Sequence, residues 1–136
     1  EAIAGQCDLV LVDAPCTGSG TWRRRPDAKW RLTDRQLELR QAEQSDILGR
    51  AARFVKPGGR LAYVTCSVFP SENIRQTSAF LDANADFVAE DHAAAWLAHF
   101  PQSEAQARIE PRGGIVMTPA TTGTDGFFVA LMRRTG

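Results

Sequence analysis

The sequence predicts an α/β domain, with a mostly parallel sheet in α/β/α layers that ends in an antiparallel hairpin. Three observations carry this. Leu9 to Val12 is an unbroken apolar run, the habit of a strand buried on both faces of a parallel sheet. Gly58-Gly59 opens a second apolar run, Arg60 to Cys66, and the residues between the two runs are patterned as a helix. Strand, helix and strand make one right-handed crossover unit, so the two strands are parallel.

The elements follow in order. Residues 7–12 form the first strand. It stops at Asp13, and Pro15 cannot extend a central strand because it has no N–H. Thr17 to Gly20 is a small, flexible turn. Residues 16–33 are too rich in Arg and Gly for a core and read as a loop. Thr33 is a good N-cap for a helix from Asp34 to about residue 55. Leu37, Leu48, Ala51, Ala52 and Val55 share one face, with Gln41, Gln44 and Ser45 weakening its first half. Lys56-Pro57-Gly58-Gly59 ends the helix and turns the chain. Residues 60–66 are the second strand.

Ser71 is the predicted N-cap of the next helix, with Ile74, Ser78, Leu81 and Ala85 facing inward. Residues 86–90 read as a short strand. Ala93 to Phe100 is a short helix or a loop, with Trp96 and Phe100 as core. Residues 101–113 are polar and irregular. Gly114 to Met117 and Phe127 to Met132 are two strands joined by a loop of Thr and Gly, and pairing them makes an antiparallel hairpin.

Composition bounds the class. The chain has 136 residues, enough for one domain with its own core. At 43% hydrophobic and 24% charged it is not a disordered segment. No apolar run reaches the length of a membrane span. No signal peptide is visible, and the chain starts at Glu1 rather than Met, which suggests a piece of a longer protein. Net charge is zero, so bulk electrostatics select no partner. The distribution is more informative. Arg23, Arg24, Arg25, Lys29, Arg31 and Arg35 crowd one segment that also carries Trp22 and Trp30. A charge run is commonly a solvated face. Here it follows the candidate site, and Arg24, Lys29 and Arg31 are expected to contact phosphates. Cys7, Cys16 and Cys66 form neither a disulfide framework nor a zinc pattern and suit a reducing cytoplasm. No metal is expected. Cys7 is expected to be a small buried hydrophobe. His92 and His99 lack partner spacing and receive no role.

The candidate chemistry sits at two strand ends. Asp13, Pro15 and Cys16 follow the first strand, and Cys66 ends the second. The carboxyl end of a parallel strand is where ligands bind in open α/β sheets. If the strands are neighbours, both thiols lie on one rim. Taken singly, each motif has a plainer reading: a cysteine ending a strand is commonly structural, and an Asp there is commonly a cap. The pairing favours chemistry.

Asp13-Ala14-Pro15-Cys16, followed fifty residues later by Thr65-Cys66-Ser67, resembles the RNA cytosine-5 methyltransferases, the family of bacterial rRNA methylases and the nucleolar Nop/Sun type. The segments Arg23 to Arg31, Pro70-Ser71-Glu72-Asn73 and Thr124-Asp125-Gly126-Phe127-Phe128 resemble the same family. Arg25, where His is common, and Ser71, where Glu is common, depart from it. The resemblance implies the C-terminal half of a class I methyltransferase (Rossmann-like) fold, with residues 1–136 as a single domain. The Gly-rich turn and acidic strand end that hold S-adenosylmethionine in that fold do not precede Asp13. Gly18-Ser19-Gly20 has no clear helix after it. The chain is therefore expected to lack most of the cofactor-binding half, to bind S-adenosylmethionine weakly or not at all, and to self-associate through the unpaired flank of its first strand.

The implied reaction is S-adenosylmethionine-dependent methylation of cytosine carbon 5 in rRNA or tRNA. A thiolate adds to carbon 6 and turns the ring into an enamine, which takes the methyl group. A base then removes the proton from carbon 5, and the thiol leaves. An ordinary thiol is only ~3% ionised at pH 7, so the site must raise that fraction. The resemblance makes Cys66 the nucleophile and Cys16 the group that aids release. Asp13 would meet the N3 and N4 edge of the base and also face the cofactor. Pro15 would pack near the base. Residues 124–128 are either a plain Asp-Gly hairpin turn or a loop closing over the site. Two other readings compete. One is an RNA-binding or scaffold domain without catalysis. The other is a DNA cytosine methylase, whose Glu-Asn-Val motif is not found here.

Overall fold

The computed structural model describes residues 2–102 and 106–136. Its strands are β1 (Cys7–Asp13), β2 (Val55–Thr65), β3 (Phe87–Ala89), β4 (Arg108–Ile109), β5 (Ile115–Met117) and β6 (Phe127–Arg134). Its α-helices are α1 (Pro26–Arg31), α2 (Asp34–Ala52), α3 (Ile74–Ala83), α4 (His92–His99) and α5 (Pro119–Thr122), and Ser19–Thr21 is one 3-10 turn. The sheet order is β1-β2-β6-β5-β4, with β3 also on β6. β1 and β2 pair in parallel, while β6 is antiparallel to β2, β3 and β5, and β4 is antiparallel to β5. So β1, β2, β3 and β5 run one way, and β4 and β6 oppose them. The expected terminal hairpin is β5 and β6, with α5 where a plain loop was expected.

One face of the sheet carries Val10 and Val12 of β1, Leu61 and Tyr63 of β2, and Phe128, Ala130 and Met132 of β6. These meet Leu48, Ala51 and Ala52 of α2 and Phe80 of α3 in a single core. Thr33 caps α2 as its sequence predicts. Its hydroxyl accepts from the Gln36 N–H at 3.2 Å, and its own N–H donates to the Gln36 side chain at 2.9 Å.

The register explains several departures from the sequence reading. β1 is not buried on both faces: Leu9 is 57% and Leu11 65% exposed. They alternate with Val10 and Val12, and only the valine face meets α2. Among the described residues β1 has β2 as its single strand neighbour. α2 ends at Ala52, and Val55 already belongs to β2. The Lys56–Gly59 stretch is a bulge at the start of that strand, where the pairing slips between Cys7 and Leu9 and Gly58 takes φ 78°. Residues 16–33 are not all loop, since Pro26 starts α1 in the N-terminal position that tolerates its missing N–H.

Ser71 is not a helix cap. α3 starts three residues later, and its buried face is Thr77 and Phe80 rather than Ser78 and Ala85. Trp96 and Phe100 do not enter the core. Their rings meet each other at 4.6 Å, with Phe100 half exposed. His92, by contrast, is buried, and its Nε2 accepts the Leu131 N–H at 2.8 Å, tying the start of α4 to β6. Residues 103–105 of the segment expected to be irregular lie outside the described residues, and Arg108–Ile109 within it forms β4.

Candidate active site

The parallel register of β1 and β2 sets Asp13 opposite Val64. The Ala14 N–H extends the ladder by one bond, 2.9 Å to the Val64 carbonyl. The two chains therefore leave the sheet side by side. Their next residues bring Cys16 Sγ and Cys66 Sγ to 3.4 Å. Both thiols are half-buried and free. The juxtaposition expected from the two strand ends is present.

A buried carboxyl group lies under the pair. Glu72 is 0% exposed, and four donors converge on its two oxygens. The Thr17 N–H and the Gln44 amide each reach Oε2 at 2.9 Å. The hydroxyls of Thr17 and Ser67 reach Oε1 at 2.6 and 2.5 Å. Thr17 follows Cys16, and Ser67 follows Cys66. One side chain thus fixes both thiol-bearing turns. Gln44 also donates to the Pro15 carbonyl at 2.8 Å, clamping the half-buried Pro15 from α2. Next to Glu72, Asn73 accepts the Thr65 hydroxyl at 2.6 Å and donates to the Ser67 carbonyl at 2.8 Å. Tyr63 donates to the Glu72 carbonyl at 2.6 Å.

The turn after Cys16 is held rather than flexible. Gly18 takes φ 72°, which returns the chain over the Cys66 turn. There the Gly20 N–H donates to the Cys66 carbonyl at 2.9 Å, and the Ser19 hydroxyl accepts the Val68 N–H at 2.9 Å. Gly20 then receives the Thr124–Phe128 segment: the Gly126 N–H donates to the Gly20 carbonyl at 2.8 Å. A Cβ on Gly126 would lie 2.6 Å from the Gly20 Cα, so both positions need glycine for the backbones to touch. Asp125 holds Arg24 at 2.6 Å and Arg23 at 3.2 Å. This segment is more than a hairpin turn, because it docks on the loop that carries Cys16.

The electrostatics separate the thiols. The Cys16 S–H donating to Cys66 lowers the Cys66 thiol to about 7, against burial, which opposes ionisation there. The same hydrogen bond, with burial second, pushes Cys16 up. The charges of Asp13 and Glu72 also oppose the Cys66 thiolate, and they are the weaker effects.

The remaining predicted residues surround this centre. Asp13 is exposed at the end of β1, with no hydrogen bond or ion pair from its carboxylate among the described residues. An open cleft of about 350 Å³ is lined by Cys16, Thr17, Ala28, Arg31, Leu32 and others from α2. Arg31 thus reaches the cleft, and it also pairs with Asp27 at 2.7 Å. Arg24 is turned to Asp125. Lys29 lies 5.4 Å from the Trp30 ring centre and 6.0 Å from that of Trp22. Cys7 is half-buried at the far end of β1, away from the site. Among the described residues no group of three or more His, Cys, Asp or Glu side chains is placed to hold a metal.

Glu72, Gln44, Thr17 and Ser67 were missed by sequence reasoning. The signal for Gln44 was its place on the inward face of α2. A polar residue on a buried face needs a partner.

A mixed sheet with two thiols at the ends of adjacent parallel strands defines a Rossmann-like methyltransferase domain. The chain belongs to the family described as 16S rRNA methyltransferase RsmB/F, whose model matches residues 1–133. It is 40% identical over 125 residues to the ribosomal RNA small subunit methyltransferase B of Klebsiella pneumoniae (strain 342), covering 92% of this chain and 26% of that protein. It is 50% identical over 76 residues to the protein of the same name from Enterobacter sp. (strain 638), covering 56% of this chain and 18% of that protein. The chain spans about a quarter of the length of the first of these relatives. Among solved structures, PH0851 superimposes with TM-score 0.82 at 35% identity, over 96% of this chain and 27% of that one. NSun6 from Pyrococcus horikoshii with SFG shares the fold, with TM-score 0.71 at 24% identity over 93% of this chain and 29% of that one.

Proposed function

We propose that this chain is the thiol-bearing part of the catalytic domain of an S-adenosylmethionine-dependent methyltransferase that makes 5-methylcytosine in ribosomal RNA. The observation that carries the reading is the pair of free thiols 3.4 Å apart at the ends of two adjacent parallel strands. The family supports the RNA substrate and the methyl transfer, since the relatives are named ribosomal RNA methyltransferases.

In this reading Cys66, with the lowered thiol, adds to carbon 6 of the base. Asp13, whose carboxylate has no protein partner among the described residues, meets the N3 and N4 edge as charge develops there. Pro15, clamped by Gln44, packs near the base. Cys16 keeps its proton at neutral pH and stands beside the carbon–sulfur bond that must break for release. S-adenosylmethionine supplies the methyl group when bound. Asp13 faces it from the strand end. Arg24, Lys29 and Arg31 meet phosphates, which would require Arg24 and Arg31 to exchange their present carboxylate partners. Residues 1–136 form a single unit within that catalytic domain, and the enzyme acts in the cytoplasm. Taken alone, the chain self-associates through the open edge of β1. A strict monomer by light scattering at high concentration refutes that last point.

The test of the chemistry uses the full-length protein with substrate RNA and S-adenosylmethionine. Cys66→Ala should abolish methyl transfer. Cys16→Ala should leave a protein–RNA adduct visible as a slow band on a denaturing gel, and the double variant should lose it. If the band forms with Cys66→Ala and depends on Cys16, the roles are reversed. If neither single variant affects methyl transfer, the two-thiol chemistry fails; if the wild type transfers no methyl group, the RNA-binding reading remains.

A further inference from the structure

The cleft beside Cys16 has a second feature that the two-thiol chemistry does not use. α1 buries none of its six residues, yet it contributes Ala28 and Arg31 to the cleft wall. Its Trp30 is 81% exposed, the most exposed of the large apolar side chains among the described residues. An isolated exposed indole is ordinary. This one ends an ordered row. Phe69, three residues after Cys66, meets Trp22 edge-to-face at 5.6 Å. Lys29 lies over both Trp22 and Trp30. The row runs Phe69, Trp22, Lys29 and Trp30, from the Cys66 turn to α1, the helix whose Ala28 and Arg31 line the cleft. Around it, Arg25, Lys29 and Arg35 have no acidic partner within salt-bridge distance among the described residues.

An exposed indole beside unpaired cations fits a nucleic acid without a partner strand. Every base offers a π-face for stacking, and the cations meet the phosphates that follow it. We propose that Trp30 is a stacking subsite for an unpaired RNA base that neighbours the base taken into the thiol cleft, with Lys29 at the intervening phosphate. This rests on the RNA substrate proposed above. It adds that the substrate is single-stranded on at least one side of its target.

The experiment measures binding of a fluorescein-labelled unpaired RNA nonamer, and of a duplex of equal length, to the full-length protein by anisotropy across a salt series. Trp30→Ala should weaken binding of the single strand about tenfold. Binding of the duplex should change less than about twofold, and the slope of affinity against salt should stay as in the wild type, because no charge is lost. Trp30→Phe, which keeps a π-face, should recover most of the affinity. A melting curve for Trp30→Ala that matches the wild type shows that the loss is one of contact and not of folding. If Trp30→Ala binds the single strand like the wild type while the Arg24, Lys29 and Arg31 triple Ala variant loses affinity and salt slope, RNA binding stands and the stacking subsite is overturned. Equal losses on single strand and duplex also overturn it. If the wild type binds neither RNA, the RNA reading itself falls.

Discussion

Two carboxylates serve the thiol loops from opposite sides, and they are built differently. Glu72 lies beneath the loops with no exposed surface and takes four hydrogen bonds, none from a cation. Asp125 is itself only 12% exposed on its side chain, but it pairs with two arginines whose side chains are more than half exposed. A buried acceptor shared by several donors is costly to remove, because each donor loses its partner away from water. An ion pair whose cations lie mostly in water exchanges partners more readily and contributes less. The difference teaches which parts of the site are fixed before a substrate arrives and which are free to rearrange. The thiol spacing belongs to the first group. The arginines belong to the second, as the proposed phosphate contacts require.

The largest effect on stability is expected at Glu72. Glu72→Ala strands the Thr17 N–H and hydroxyl, the Gln44 amide and the Ser67 hydroxyl, and should destabilise the fold by about 3–5 kcal/mol. Glu72→Gln is the sharper test. Oε2 faces two N–H donors and must stay an acceptor. Oε1 faces two hydroxyls, which can rotate to accept. An amide set with its oxygen at Oε2 therefore satisfies all four groups. Denaturant melts should show Glu72→Gln losing less than half of what Glu72→Ala loses. Equal losses would mean that the negative charge, and not the hydrogen-bond count, is what the site needs.

Gly126 comes next. Its Cβ would run into Gly20 and Val68, so Gly126→Ala must push apart the loop that carries Cys16 and the loop that enters β6. A cost of about 1–3 kcal/mol is expected, with a loss of methyl transfer larger than the loss of stability explains. Retained activity at reduced stability would show that the docked loop only supports the fold.

The thiols give an effect read in pH. Cys66 is held near 7 by the Cys16 S–H. A thiolate is the reactive form above its pKa, so alkylation of Cys66 by iodoacetamide should fall about tenfold per unit as pH drops below 7 and level off above it. Cys16→Ala removes the donor. The midpoint should then rise toward the ordinary thiol value of about 8.5. Mass-spectrometric rates at Cys66 across pH 5–10 check this. An unmoved midpoint would separate the two thiols electrostatically despite their contact.

How much of this was legible in the sequence follows the same division. The strand ends, the parallel pair, the Thr33 cap and the two thiols on one rim all follow from local pattern, because apolar runs and turn residues act through their immediate neighbours. The Glu72 floor does not. Pro70-Ser71-Glu72-Asn73 reads locally as a helix start with Ser71 as cap, and only the packing of α2 against the strand ends shows that Glu72 turns inward to Gln44. Leu9 and Leu11 fail for the complementary reason. Their apolar character predicts burial, but burial depends on what covers that face of the sheet, and a pattern of one strand does not contain its neighbours. The half-apolar face of α2 was the one local sign of the polar floor.

The smallest effect is expected at Asp125. Arg24, first by its hydrogen bond, holds this carboxyl below the usual range despite an opposing desolvation. Its contribution to stability is therefore complete above the ordinary carboxylate value of about 3.9 and disappears as pH falls through the lowered one. At pH 7 Asp125→Asn should lower Tm by no more than about 3 °C, and the shift should shrink as salt is added. Gly126 and Asp125 are adjacent in one loop, so the two substitutions compare a backbone contact with an ion pair at the same place. If Asp125→Asn costs as much as Gly126→Ala, the pair is not an exchangeable surface contact, and Arg24 is committed to the fold. In that case Arg24→Ala should lower Tm as much as Asp125→Asn does. If instead Asp125→Asn leaves Tm in place and strengthens RNA binding, the carboxylate competes with phosphate for Arg24, as the half-exposed Arg24 side chain suits.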